Sequence, residues 1–399
     1  MKSLITYLAA LAVVILLLAG TRAPRLGDPA NYTRLELLFY AQPVRIQYDP
    51  AMTIPDPGPL TIASIKAAYH HLNKKPKQVL LNSLLEAKQL YQLNDFLFFK
   101  LAKTSVQLVY NGSDPNAQEI TLFGLLIDAG FDARLTFRGS EVFVNVYTTE
   151  DLFEVPIIDT DGRPYANLSC LDGSCNGRQR LFIIDERPNP TGRSFGFQLR
   201  SWPALGAQPT EKRMAFSYHG VQKTMDVTFD RTMVDIMDGY PFIHEYAYLE
   251  TPLSSTLRNS LLPQLRRYLE PLNEEQRIEL LVSFTRSAFN YKEDNENFGH
   301  SKPMVPEELF GYSFSDCEDR SALFFALVRD LLNLPMAVIA YDDHLTIAVG
   351  SDNIKGDAFD YNGQRYVFCD PTGPKNSSRI GEIPPGYENK SFQVIGTYK

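Results

Sequence analysis

The chain has 399 residues, with 39 Lys and Arg against 47 Asp and Glu and a formal net charge of −8. That length suggests two or three domains at about 150 residues each, and an acidic chain without a Lys/Arg-rich block argues against nucleic acid as its main partner. A hydrophobic content of 44%, with 25 Phe and 21 Tyr, excludes wholesale disorder, and the four cysteines are too few for a disulfide scaffold and too widely spaced for a four-ligand zinc site.

Lys2 precedes an uncharged run over residues 3–21, dominated by Leu, Ile, Val and Ala, with Arg22 and Arg25 following. Its length falls between that of a secretory signal core and a full bilayer span. Residues 1–25 therefore read as a signal peptide or a membrane anchor, cleavage and retention both open, and the protein as exported: periplasmic, or tethered by this segment on the extracytoplasmic side. Residues 26–61 are Pro-rich and read as a tether with some strand over 43–48.

Residues 62–110 show three- and four-residue hydrophobic spacing and predict helices. Alternation over 132–148 predicts a strand, with another over 162–169. These fall in an N-terminal α/β domain over 62–178. Residues 179–252 predict a small β-rich domain with strands at 194–199, 214–218, 224–229 and 242–249. Amphipathic helices follow at 254–269 and 273–291, then a polar loop, a helix over 317–332, and strands at 336–341, 344–349, 359–361 and 366–369. These build a C-terminal domain over 253–399, and the whole is expected to be α+β.

The chemistry concentrates in that last domain. In Tyr312-Ser313-Phe314-Ser315-Asp316-Cys317-Glu318-Asp319-Arg320, Ser315 or Asp316 suits a helix N-cap, so Cys317 falls in the first turn. There the helix dipole favours thiolate over thiol. His344 opens a strand after an Asp342-Asp343 turn, and Asp370 ends the next hairpin before Pro371. A nucleophile needs a base, and the base an orienting acceptor. Cys317, His344 and Asp370, spaced 27 and 26 residues apart, can supply those roles at one sheet edge.

These residues resemble the transglutaminase-like, papain-related cysteine enzymes. The resemblance rests on Asp-Cys-Glu-Asp-Arg-Ser-Ala-Leu-Phe around Cys317, the His344 strand and Tyr-Val-Phe-Cys-Asp-Pro-Thr around Asp370, with Phe289-Asn290-Tyr291 and Pro306-Glu307-Glu308-Leu309 upstream; it covers residues 274–374. It implies Cys317 as nucleophile, His344 as general base and acid, and Asp370 as orienter of the imidazole, acting on a peptide or protein substrate through a thioester, with no cofactor or metal. It also implies an oxyanion site made by the Cys317 backbone N–H and one upstream group, for which Tyr291 and Asn290 are candidates. Hydrolysis is the expected outcome; acyl transfer to an amine and a non-catalytic envelope scaffold are the alternatives.

Other features carry less. Cys369 reads as a buried free thiol, and Cys170 and Cys175 as a local disulfide in an oxidising compartment. Residues 119–135 echo 319–338, and Asp161-Gly162-Arg163-Pro164-Tyr165 echoes Asn362-Gly363-Gln364-Arg365-Tyr366. Residues 62–173 are therefore either a degenerate copy of the catalytic fold, lacking all three reactive residues, or an unrelated α/β unit. If a copy, its counterparts of Cys317, His344 and Asp370 fall near Pro115–Asn116, Val142 and Ser169.

Overall fold

The computed structural model describes residues 32–72, 74–171, 180–373 and 377–399. The apolar run at the N-terminus and Cys175 lie outside them. Among the described residues no helix is long and apolar enough to cross a membrane.

The chain builds one plan twice. The first pass opens with a hairpin, β1 (Thr33–Phe39) and β2 (Gln42–Tyr48). Four helices follow: α1 (Ile62–His71), α2 (Lys74–Leu90), α3 (Asp95–Val109) and α4 (Pro115–Asp128). Then come β3 (Ala133–Arg138), β4 (Glu141–Tyr147), β5 (Ile157–Thr160), β6 (Arg163–Asn167) and β7 (Phe182–Ile183), joined in the order β5-β6-β4-β3-β7.

The second pass opens with the hairpin β8 (Pro209–Tyr218) and β9 (Val221–Asp230). Its helices are α5 (Arg231–Asp238), α6 (Glu245–Glu250), α7 (Ser255–Leu269) and α8 (Glu274–Ser287). A short parallel pair, β10 (Asn290–Tyr291) and β11 (Phe314–Ser315), brackets α9 (Asp294–Asn297) and α10 (Glu308–Gly311). Then come α11 (Cys317–Leu331), β12 (Met336–Tyr341), β13 (His344–Val349), β14 (Ala358–Tyr361), β15 (Gln364–Phe368) and β16 (Gln393–Tyr398), in the order β14-β15-β13-β12-β16. Both five-stranded sheets are antiparallel with the same strand order, and the fold is mixed α+β with curled, half-barrel sheets.

The repetition extends to single residues. In each opening hairpin the second strand leans on a helix serine: the Gln47 N–H donates to Ser83 Oγ at 3.0 Å, and the Thr228 N–H to Ser260 Oγ at 2.7 Å. Both serines stand in the tetrapeptide Asn-Ser-Leu-Leu, at 82–85 and 259–262. Asp49 and Asp230 end their hairpins, each accepting the N–H two residues on, and each is followed three residues later by a buried Met52 or Met233. Asn94 and Asn273 cap α3 and α8, each accepting the third N–H of its helix at 3.0 Å. An Asx cap satisfies a donor that the first turn leaves without an intrahelical partner.

The repeat therefore begins at Thr33, not at residue 62, which corrects the reading of 26–61 as a tether. Val44, Ile46, Met52 and Ile54 are buried in the first core, because β2 packs on α2. The expected β domain over 179–252 is also not one unit. Phe182 and Ile183 pair with β3, and Phe195, Phe197 and Leu199 complete the first core. Met214, Phe216 and Val227 belong to the second. Residues 194–199 are irregular, and most of 242–249, expected as strand, falls in α6 because the His244 ring accepts the Tyr246 N–H and caps a helix there.

Helix α11 is the centre of the second half. Every residue from Asp319 to Val328 is buried, so it packs on all sides, against α8, α6 and β13. Its start is fixed by Asp319, whose carboxylate accepts the Asp316 N–H at 3.1 Å. It stops at Asn333, which adopts a left-handed φ of 51° while its N–H closes on the Val328 carbonyl.

Candidate active site

Cys317 is the first residue of α11, His344 the first of β13, and Asp370 lies two residues beyond β15. The β12–β13 hairpin pairs Tyr341 with His344, which sets the imidazole at the sheet end next to the start of α11. Cys369 continues the ladder through its N–H to the Ile347 carbonyl at 3.0 Å, so Asp370 emerges at the same edge.

Asp370 and His344 face one another. Asp370 Oδ1 lies 3.6 Å from His344 Nε2, an ion-pair distance longer than a hydrogen bond. Both side chains are buried, at 0% and 4% exposure, and the contact leaves Nδ1 as the nitrogen turned away from the carboxylate. Asp370 Oδ1 also accepts from Thr346 Oγ1 and from the Thr372 N–H, each at 3.1 Å. Burial works to raise the Asp370 carboxyl, but His344, Arg286 and Thr372 outweigh it and hold the group below its usual range. Asp370 thus starts a turn and faces the imidazole at once.

The thiol differs from expectation. Cys317 Sγ donates to Glu318 Oε2 at 2.9 Å, and the Leu345 N–H points at the same sulfur. Burial first, then the Glu318 and Asp316 carboxylates, push the thiol well above its ordinary value. The helix start is present, but its benefit of about 0.3–1 kcal/mol at a surface does not overcome two acids beside a buried sulfur. The resting group is a neutral thiol turned towards Glu318, with no direct hydrogen bond to His344 among those of the described residues.

An acidic cluster surrounds this helix start. Burial raises the Asp294 carboxyl to about 6, and burial with neighbouring carboxylates raises Asp316 and Asp319. Asp294, Asp316 and Glu318 bring one oxygen each within 4.8 Å of the others. That oxygen donor set is of the kind hard cations take.

Several positioning residues carry no sequence signal of their own. Arg320 is fully buried, yet its guanidinium makes no direct ion pair among the described residues. It donates to the carbonyls of Phe289, Thr372 and Gly373 and to Ser315 Oγ, tying the loop after Asp370 to the segment before Cys317. Arg286 donates to the Asp370 and Ser378 carbonyls. Tyr387 packs its ring 5.0 Å from the imidazole and 4.6 Å from Tyr341, covering the site from the C-terminal segment.

Of the two oxyanion candidates, Tyr291 lies near the sulfur: burial first, then Cys317 and Glu293, raise its phenol, and its hydroxyl donates to Glu293 at 3.0 Å. Asn290 is exposed, with its amide 3.4 Å from the Ser313 carbonyl. Cys369 is a buried free thiol raised to about 12 by its burial. Cys170 is disulfide-bonded.

The equivalent place in the first half holds other chemistry. Glu141 opens β4 as His344 opens β13, and Ser169 follows β6 by two residues as Asp370 follows β15. Asn116, near the start of α4, accepts the Val142 N–H at 3.0 Å, just as Cys317 receives that of Leu345. Ser169 Oγ accepts the Val144 N–H at 2.9 Å and donates to Glu119 at 2.6 Å. The expected counterparts of Cys317 and Asp370 are met by Asn116 and Ser169; that of His344 is Glu141, one residue before Val142. None is a nucleophile–base pair.

No family model matches the chain, and no curated protein or solved structure matches it.

Proposed function

We propose that the protein is a thiol hydrolase of peptide or isopeptide amides, acting through Cys317, His344 and Asp370, in a transglutaminase-like domain over residues 209–398. The observation that carries this reading is the buried His344–Asp370 contact beside a cysteine at a helix start, three side chains from three separate elements. In the reaction, His344 Nδ1 takes the thiol proton as Sγ attacks the amide carbonyl. The C–N bond then breaks, and the imidazolium gives its proton to the leaving amine. Water, deprotonated by the same imidazole, cleaves the thioester to acid and free thiol. Asp370 holds the ring by Nε2 and stabilises the imidazolium. Water is preferred as acceptor over a second amine, which would need an amine pocket beside the thiol that is not seen among the described residues.

On this reading residues 33–183 are a degenerate copy of the same fold. Export is part of the proposal. The Leu-rich N-terminus supports it, as does a disulfide at Cys170, since such bonds persist in oxidising compartments.

One observation favours a second reading. The neutral thiol, held by Glu318 rather than His344, is what a vestigial site in a scaffold protein would present. Turnover separates the two. Wild-type protein is screened on a peptide and isopeptide library beside Cys317→Ala, with amine release measured. Cleavage by wild type, lower by at least about a thousandfold in the variant, is expected of a nucleophile. Cleavage undiminished in Cys317→Ala overturns the hydrolase. No turnover, with equal and slow iodoacetamide labelling of wild type and His344→Ala, supports the scaffold.

A further inference from the structure

A cavity of about 790 Å³ lies between the two halves. Its volume is within the range of ligand-binding clefts. The first half contributes Lys100 and Lys103 from α3 and Ser169, the residue in the place of Asp370. The second contributes Phe242 and the segment from Phe298 to Pro303, including His300 and Lys302.

The charges here run against those of the whole chain. Lys100 and Lys103 project from successive turns of one helix face, and neither makes a salt bridge among the described residues. Lys302 adds a third ammonium, paired with Glu308 at 2.7 Å. Two acids also line the cleft: Asp238, which accepts the Tyr312 hydroxyl at 2.8 Å and lies near Lys100, and Glu154 at the rim. Half-buried ammonium groups with no direct carboxylate contact are stabilised when an anion reaches them.

The walls are aromatic, with Phe99, Phe153, Phe242 and Phe298 among them. A bare phosphate would use none of that surface. Carboxylates interspersed with apolar side chains on an extended chain match both features.

The cleft is also mechanically tied to the candidate thiol. Its Phe298–Pro303 wall is bolted to the start of α11: the Lys302 N–H donates to Asp294, the Asp294 N–H to Asp316 Oδ2 at 3.2 Å, and the Met304 N–H to Asp319 Oδ1 at 2.8 Å. Asp316 and Asp319 are the cap and third residue of the helix that Cys317 begins. A chain held in the cleft therefore lies against a wall shared with that site.

We propose that the cleft between the halves binds an acidic, aromatic-containing peptide segment through Lys100, Lys103 and its aromatic walls, so that the first half, without a triad of its own, serves as the recognition unit. The substrate role rests on the hydrolase reading above; the binding does not.

Binding is measured on full-length Cys317→Ala by fluorescence anisotropy. The probe is a fluorescein-labelled twelve-residue peptide of alternating Glu and Phe, with a second peptide bearing Lys for every Glu. The Glu peptide is expected to bind saturably and the Lys peptide not. Lys100→Glu/Lys103→Glu should weaken binding about tenfold or more, as like charges replace attraction. Gln107→Glu, at the exposed rim of the cleft and outside the packing, should weaken it several-fold with an unchanged melting temperature. Absence of Glu-peptide binding, equal binding of the Lys peptide, or binding unmoved in Gln107→Glu overturns the proposal. Amide cleavage by wild type without Glu-peptide binding would remove the cleft and leave the hydrolase; binding without any cleavage would do the reverse.

Discussion

At residue scale the site is a contest between position and charge. Cys317 has the place a nucleophile needs, yet Glu318 and Asp316 hold its proton on. Removing one of those charges should release it. Glu318→Gln is expected to lower the thiol pKa by about one unit and to raise the iodoacetamide rate at pH 7.5 about tenfold, since each unit is tenfold in thiolate. Mass-resolved labelling of Cys317 over time reads this directly; a rate unchanged or slower than wild type would show that burial alone sets the thiol. Cys317, His344 and Asp370 were legible because each stands at an element boundary that the local sequence marks: an Asp cap, a two-residue turn, an Asp-Pro stop. Arg320 was not, although it lies in the same motif. Apart from Ser315 Oγ, its partners are carbonyls 31 to 53 residues away, and no local pattern encodes a carbonyl. The thiolate expectation failed because the dipole rule takes no account of burial, which comes from the tertiary packing, or of the Glu318 and Asp316 carboxylates on either side of the thiol.

At element scale one buried carboxylate joins the hairpin to the helices of the second half. Glu307 Oε1 accepts the Asp230 N–H at 2.7 Å and the Ser254 hydroxyl at 2.9 Å, and Oε2 faces the Ser254 N–H at 3.3 Å. It thereby ties the end of β9 to the cap of α7. Burial raises its carboxyl to about 7 despite those donors. The folded state then holds a proton that the unfolded chain releases near 4.5, so stability is full below that value and falls as pH rises towards 7. The loss is on the order of 3 kcal/mol. Urea unfolding should therefore show wild type less stable at pH 8 than at pH 5, and Glu307→Gln should flatten most of that difference; an equally steep profile in the variant would assign the pH dependence elsewhere. The sequence misread α6 at this scale. Phe242-Ile243-His244-Glu245-Tyr246-Ala247-Tyr248-Leu249 is aromatic-rich and reads as strand, but a ring nitrogen capping the Tyr246 N–H and Leu249 burying in the second core turn it helical. Similarly, the repeat was visible only in part before the fold was known. Asn-Ser-Leu-Leu occurs twice, but a tetrapeptide gains meaning only once both serines are found accepting the N–H of a hairpin strand.

At the scale of the whole molecule the two copies are not beads on a string. Met233, Ile236, Met237, Ile243 and Tyr248, all from α5, α6 and their link, are buried in the core of the first half, together with Val305. Trp202 donates its indole N–H to the Pro252 carbonyl at 2.7 Å, and Leu152 bridges Ile243. The second half thus presents one face to solvent and inserts the other into its neighbour. Each large apolar side chain fully buried contributes about 1.5–3 kcal/mol, so five of them amount to something on the order of 10 kcal/mol. That is comparable with the whole stability of an ordinary domain. A fragment of residues 200–399, which keeps the entire triad, should therefore fail as an independent protein. It is expected to elute as aggregate in gel filtration, to bind anilinonaphthalene sulfonate, and to lose the single cooperative melt of the full chain. Co-expression with residues 32–199 should restore a soluble heterodimer, because the apolar face then regains its own partner. A fragment that is monomeric and melts cooperatively alone would show that the shared core contributes little, and that the first half is carried for ligand contact and not for folding.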